Sequence, residues 1–397
     1  MTSPVPIARE EFEQRRKQAV LDTAEAGLDG LLVWSVGGSR LECFADVFYL
    51  TNHYSAESRT HDVPEMELTG FGHAAVILPV DGEPTLAVEK PDWRDDLVTI
   101  DDVRSDADLY RLVVALLREK GLTEGRVGIA REDFLPLRLF RILTETFPRM
   151  ELVPADRIIE LRRMVKSPAE IEHMRHASAV STEIMTAMLS QAEVGKTDGD
   201  LAIAAYERAT QLGAAPWEFA MASGPQSEHV WWGRMPQFDP RRPYEAGDIV
   251  HPDVYGCVDG YFYDFVRSLV VGGNPTDTQR AMLEAAVGVV HHVCDELVTG
   301  RVASEVHEDG RRWVESQDWP SQGFEVVPLP FWAHGIGLGW EGPWIAASDN
   351  TVLAEGMTVA VEVMVTGHGM GAGFEETVLM TDAGPEIMTA ACPIEWW

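Results

Sequence analysis

The sequence predicts a protein of two parts, an α/β domain over residues 1–160 followed by an α+β domain over residues 161–397. Length is the first observation behind this: 397 residues are more than one core commonly fills. The second is alternation, since residues 30–154 pass from short apolar runs to helix-period stretches and back, as strands and their covering helices do. The third lies further on, where strand-like apolar runs carry single acidic residues in their midst.

Phe12, Arg16, Ala19, Val20 and Ala24 recur at helical spacing over 9–27, a helix that stops at Gly27. Gly30-Leu-Leu-Val-Trp34 reads as a buried strand, and 74–79 with 84–89 as a strand pair across Asp81-Gly82. A helix is expected over 109–119, a strand over 126–130, a helix over 135–147 and a strand over 151–154. His53, His61 and His73 are read as surface or capping histidines. Past a join at 157–166, Ser167-Pro168-Ala-Glu170 signals a helix start, with Ser as N-cap, Pro at the first helical position and Glu at the third. Thr197-Asp-Gly-Asp200 opens a second helix reaching 212, and 280–299 reads as a third. On that third helix the adjacent His291 and His292 point about 100° apart, so they do not chelate together.

The stretch from Asp248 to Arg267 reads as two strands joined at Asp259-Gly260, a two-residue hairpin signal. That turn pairs Val258 with Tyr261, Tyr255 with Asp264 and Asp253 with Val266, which sets Asp253 and Asp264 on one face as diagonal neighbours. Two carboxylates amid Val, Tyr and Phe repel each other and lose hydration; they persist when a cation lies between them or one stays protonated. Three more candidates are His334 in His-Gly-Ile-Gly-Leu, Glu362 inside the apolar run Val-Ala-Val-Glu-Val-Met-Val, and Glu375 in Gly-Phe-Glu-Glu-Thr-Val. Four carboxylates and an imidazole suit Mn, Fe, Co or Zn better than a thiolate-seeking metal, and two divalent ions would cancel the four negative charges.

This order of residues, with Gly260-Tyr261-x-x-Asp264-x-x-Arg267, Gly356-Met357-Thr-Val-x-Val-Glu362 and Glu375-Glu376-Thr-Val, resembles the methionine aminopeptidase, prolidase and creatinase superfamily. The resemblance implies a creatinase/prolidase-like N-terminal domain, in which Phe48-Tyr49-Leu50-Thr51 would be a strand, followed by a pita-bread catalytic domain. It implies two divalent ions, Mn before Fe, Co or Zn: Asp253 on the first, Asp264 and Glu375 bridging, His334 and Glu362 on the second. His229, after Ser223-Gly-Pro, would face the substrate and act with Glu362 in catalysis. The implied activity is metal-dependent hydrolysis of a C–N bond by a homodimer, with water activated between the ions.

Departures from that pattern bear on the substrate. The string His334-Gly-Ile-Gly-Leu-Gly-Trp340-Glu341-Gly-Pro343 is one residue shorter than in the peptidases and lacks their second histidine. Gly373 stands where prolidases carry an arginine that clamps the substrate carboxylate, and Val363 where a proline is common. Trp231, Trp232, Tyr261 and Trp340 are expected to line the substrate instead, which favours an apolar or cationic small molecule over a charged peptide end. The resemblance implies an Xaa-Pro dipeptidase or aminopeptidase first and a non-peptide amidohydrolase of the creatinase kind next. The shortened string also resembles dimethylsulfoniopropionate lyase, although that enzyme's base falls at Trp340. A C–S lyase and a non-catalytic binding protein on the same fold are the alternatives.

A net charge of −32 disfavours nucleic acid and anionic membranes as partners. It fits a well-dispersed surface or adaptation to high salt. Cys43, Cys257, Cys294 and Cys392 are widely spaced and form no Cys-x-x-Cys, as expected of reduced thiols in a cytoplasmic protein. No secretory signal or membrane-spanning run is read in the sequence.

Overall fold

The computed structural model describes residues 3–394 apart from 39, 40, 56, 58 and 328. The chain forms two compact units, Val5–Arg163 and a second from Met164 onward.

The first unit is a six-stranded sheet with helices packed on it. Its strands are β1 (Gly30–Val36), β2 (His73–Pro79), β3 (Thr85–Val88), β4 (Val103–Ser105), β5 (Glu124–Ala130) and β6 (Arg149–Pro154), in the order β4-β3-β2-β1-β5-β6. Pairing is parallel between β1 and β5 and between β5 and β6, and antiparallel between β1 and β2. The central run Leu31-Leu32-Val33-Trp34 is fully buried, which is why it is apolar on both faces rather than alternating. Helices α1 (Arg9–Glu25), α2 (Ala45–Thr51), α3 (Leu109–Glu119), α4 (Leu137–Thr146) and α5 (Asp156–Met164) complete the succession.

Two expectations for this unit are corrected. Phe48–Thr51 is not a strand but the last turn of α2: Thr51 Oγ1 donates to the Val47 carbonyl at 2.7 Å, and Asn52 closes the helix in the left-handed conformation. Its apolar content marks burial, and so short a run does not distinguish strand from helix by periodicity. His53 and His73 are buried rather than at the surface, whereas His61 is exposed. Trp34 Nε1 donates to His73 Nδ1 at 2.9 Å, so His73 carries its proton on the other nitrogen.

Burial pushes both buried imidazoles down to about 4. Their folded values lie below the unfolded one, so their contribution is intact above about pH 6.5 and is lost as pH falls through that value towards 4. Each is worth up to about 3 kcal/mol over this window. Denaturant unfolding followed by circular dichroism should show less loss between pH 7 and 4 in His53→Phe than in the wild type.

The second unit repeats one plan twice: two helices, then an antiparallel sheet. First come α6 (Pro168–Leu189), α7 (Asp198–Gln211), β7 (Ala215–Ser223), β8 (Ile249–Val258), β9 (Tyr261–Val266) and β10 (Leu269–Val270). Then follow α8 (Asp277–Glu296), α9 (Ala303–Glu315), β11 (Glu325–Val326), β12 (Phe331–Ile336), β13 (Trp340–Ala346), β14 (Thr358–Gly367), β15 (Met370–Thr381) and β16 (Gly384–Ile387). One sheet has the order β10-β8-β7 with β9 also on β8; the other runs β13-β12-β14-β15-β16 with β11 on β14. α6 packs on β8 and β9, α8 packs on β14 and β15, and β15 lies against β8 and β9, so the two sheets meet with helices outside them. Capping boxes start α6 at Ser167, α7 at Thr197 and α8 at Thr276. His291 rests against Phe374 and His292 stacks on Trp313, so both serve packing.

Candidate metal centre

The β8–β9 hairpin has the register expected from its turn: Val258 opposite Tyr261, Tyr255 opposite Asp264, Asp253 opposite Val266. Asp259 and Gly260 both take positive φ, 51° and 87°, as a two-residue primed turn requires. Alternation then puts Asp253 and Asp264 on the same face. In the second sheet Glu362 lies directly opposite Glu375, and His334 lies opposite Ala360. Ala360 and Glu362 are two residues apart, so His334, Glu362 and Glu375 share one face as well. Thr377 Oγ1 donates to the Asp264 carbonyl at 3.1 Å and ties the two sheets together at this level.

The strand carrying His334 departs from regular pairing on both sides of it, a bulge that re-aims the ring. Its glycine neighbour explains the motif: a Cβ on Gly335 would lie 2.1 Å from the Gly342 carbonyl oxygen, so only glycine lets β12 and β13 approach this closely.

The five residues form one electrostatic cluster. Asp264, His334 and Glu375 each place a ligand atom within 4.8 Å of the other two, and His334 Nε2 is 3.7 Å from Asp264 Oδ2. These three are buried, while Asp253 and Glu362 are partly exposed. Burial, and then the neighbouring carboxylates, raises Asp253, Asp264, Glu362 and Glu375 above the ordinary carboxylate range. Asp253 and Asp264 are close enough to shift one another, so that both carry charge together only when a cation offsets their repulsion. Burial pushes His334 down to about 4, so its ring is neutral. In that state Nδ1–H donates to the Gly335 carbonyl at 3.1 Å and leaves a lone pair on Nε2.

Whether a cation belongs here is tested by the polar atoms left over. Asp253 Oδ1, His334 Nε2 and both carboxylate oxygens of Glu375 are buried without a hydrogen-bond partner. Orphaned buried acceptors are costly, and four of them converging in an acidic cluster fit a metal site. The oxygen-rich donor set with one imidazole fits Mn, Fe, Co or Zn.

Two indoles border this cluster. Trp340 Nε1 donates to Asp264 Oδ2 at 2.9 Å, and its ring stacks on His334 with centroids 4.5 Å apart. Trp231 lies close enough to Asp253 to favour its charged form. Both rings are about half exposed, Trp231 at 49% and Trp340 at 46%. Tyr261 needs correction: it is buried, its hydroxyl donates to Glu170 on α6 at 3.0 Å, and its ring stacks on His173. It lies three residues from Asp264 on the same strand, hence on the opposite face, and it packs the helix instead of lining the site. His229 is exposed on the loop after Gly224–Gln226, and among the described residues no hydrogen bond joins its ring to the cluster. For Trp232, partly exposed on the same loop, neither a hydrogen bond nor a ring contact to the cluster is found among the described residues.

Supporting residues not singled out in the sequence complete the picture. His251 Nε2 bonds the Ser227 carbonyl at 2.8 Å and, kept neutral by burial, anchors the loop that carries His229. Lys166 Nζ meets Glu341 Oε1 at 2.6 Å in a fully buried pair beneath the His334 loop. Neither pair is local in sequence. The only available signal was a charged residue beside a glycine-rich apolar stretch.

A model of metallopeptidase family M24 matches residues 172–382, and one of the creatinase/prolidase N-terminal domain matches residues 15–165. Probable dipeptidase PepE of Mycobacterium tuberculosis is 26% identical over 398 residues, covering 97% of this chain and 96% of that protein. The Xaa-Pro dipeptidase of Pyrococcus furiosus is 26% identical over 246 residues, covering 60% and 67%. The crystal structure of PepE from Mycobacterium ulcerans superposes with a TM-score of 0.77 at 23% identity over 98% of both chains. That of the prolidase from Pyrococcus horikoshii OT3 superposes with a TM-score of 0.76 at 20% identity, over 95% of this chain and 98% of that one. These two structures bear on the fold alone. No helix among the described residues is long and apolar enough to cross a membrane. With its two-sheet catalytic unit, its buried acidic cluster and both domain matches, the chain belongs to metallopeptidase family M24 and is a divalent-metal-dependent hydrolase acting on C–N bonds.

Proposed function

We propose that this enzyme hydrolyses the C–N bond of a small apolar or cationic substrate rather than a dipeptide held by its carboxylate. Asp253, Asp264, His334, Glu362 and Glu375 would hold two divalent ions, Mn before Fe, Co or Zn. When bound, the metal supplies a Lewis acid for the scissile carbonyl and lowers the pKa of water. Glu362, partly exposed beside the buried ligands, would take up and pass on a proton, and His229 on its anchored loop would donate to the substrate.

The observation that carries the substrate reading is the pair of half-exposed indoles beside the cluster, Trp340 bonded to Asp264 and Trp231 near Asp253. They offer aromatic faces at the reacting centre, which attract apolar groups and cations. Gly373 supports this from the other side. A Cβ there would lie 2.9 Å from Val266 Cγ1, and Ser268 Oγ already bonds both backbone groups of Gly373, so the position offers no charged side chain for a substrate carboxylate. A panel of Mn-loaded assays should give kcat/KM at least about tenfold higher for amides of cationic or apolar amines than for Xaa-Pro dipeptides, a difference of about 1.4 kcal/mol. Turnover confined to Xaa-Pro dipeptides would refute this reading.

The lyase alternative needs a base where Trp340 stands, and an indole N–H only donates. Incorporation of labelled solvent oxygen into the product separates the two, since only hydrolysis requires it.

A further inference from the structure

We propose that Trp340 is a positioning residue for the metal ligands, its indole N–H holding Asp264 so that the remaining lone pairs face the metal. This rests on the metal-site reading above. Trp340 Nε1 lies 2.9 Å from Asp264 Oδ2, and the same oxygen is 3.7 Å from His334 Nε2, so Trp340 grips the carboxylate edge that faces the imidazole. Its ring also stacks on His334, so one side chain fixes two of the five candidate ligands.

The chemistry of the donor matters. A free carboxylate rotates about χ2 and offers either oxygen, or both, to a cation. An N–H bond on one lone pair removes that freedom, and such supporting bonds orient ligands and raise metal affinity. Indole has no acceptor nitrogen, so it neither ligates the ion nor exchanges a proton with the carboxylate. A histidine in the same place could do both. Trp340 is thus a fixed donor in a position where an acid–base ring would compete with the site it supports.

The test uses the full-length protein and Trp340→Phe, which keeps a flat ring and removes the N–H. Mn(II) affinity is measured by the electron paramagnetic resonance signal of free Mn(II). The visible spectrum of the Co(II)-loaded protein reports ligand geometry, a readout that loss of packing alone would not move while circular dichroism and melting stay unchanged. We expect Trp340→Phe to weaken Mn(II) binding about 10- to 100-fold and to shift the Co(II) bands. Wild-type protein that binds metal while the variant matches it in affinity and spectrum would overturn the inference and leave the hydrolase reading intact. Wild-type protein that binds no stoichiometric metal would overturn the site reading and this inference together.

Discussion

Glu375→Gln is expected to abolish stoichiometric divalent-metal binding and to lower kcat/KM by about 10³-fold or more, while making the metal-free protein more stable at alkaline pH. Both effects come from one environment. Glu375 is fully buried, both its oxygens lack a hydrogen-bond partner, and it faces Asp264, Glu362 and Asp253. With metal bound, those oxygens would be ligands, and loss of a Lewis acid would forfeit several kcal/mol of transition-state stabilisation. Without metal, the ionised form is desolvated and repelled, which raises its folded pKa above the unfolded one. An acid shifted upward contributes stability that is fully present below the unfolded pKa and lost as pH rises through the folded value. The wild-type apoprotein should therefore lose stability as pH rises, and Glu375→Gln should resist that loss. Calorimetry of chelated protein at pH 5.5 and pH 9 measures the difference, which should be small at the lower pH and a few degrees at the higher. Added Mn(II) should raise the melting temperature of the wild type and leave the variant unchanged. A variant destabilised at both pH values would show Glu375 to be a packing residue.

The hairpin and its two aspartates were legible because a two-residue turn sets register, and register sets which side chains share a face. Asp259-Gly260 is enough to pair Tyr255 with Asp264, and the structure has that pairing residue for residue. Glu362 and Glu375 were legible for a different reason: an acid in the middle of an apolar strand has no solvated position to occupy. Tyr261 shows where such reading stops. It belongs to the same motif string as Asp264, yet an odd spacing along one strand sends it to the other face, towards Glu170 and His173. The indole on Asp264 could not be read at all, because it crosses 76 positions of sequence and depends on how the second sheet meets the first. His53 and His73 were misjudged by the same kind of limit, since only the packed sheet encloses them. Local periodicity reports which face a side chain takes, and long-range pairing decides what it meets there.

Arg267 carries the second large effect. It is fully buried three residues after Asp264, with Nη2 donating to Glu376 Oε1 at 2.8 Å and Nη1 donating to the Glu375 carbonyl at 2.6 Å. The rings of Phe265 and Phe374 flank its guanidinium at 4.2 and 4.3 Å. Arg267→Ala would leave Glu376 as a buried charge without its partner, at a cost of about 3–5 kcal/mol, and calorimetry should show a melting temperature about 10 °C lower. A double variant, Arg267→Met with Glu376→Met, removes both charges while filling the space, so most of that stability should return. Metal affinity should behave differently. The bond to the Glu375 carbonyl fixes the backbone of a candidate ligand, and methionine cannot replace it. The double variant should therefore melt near the wild type while binding Mn(II) more weakly by about tenfold or more. Recovery of both properties would mean that Arg267 only neutralises Glu376. Recovery of stability alone would locate in Arg267 a link between the core of the second unit and the geometry of its metal ligands.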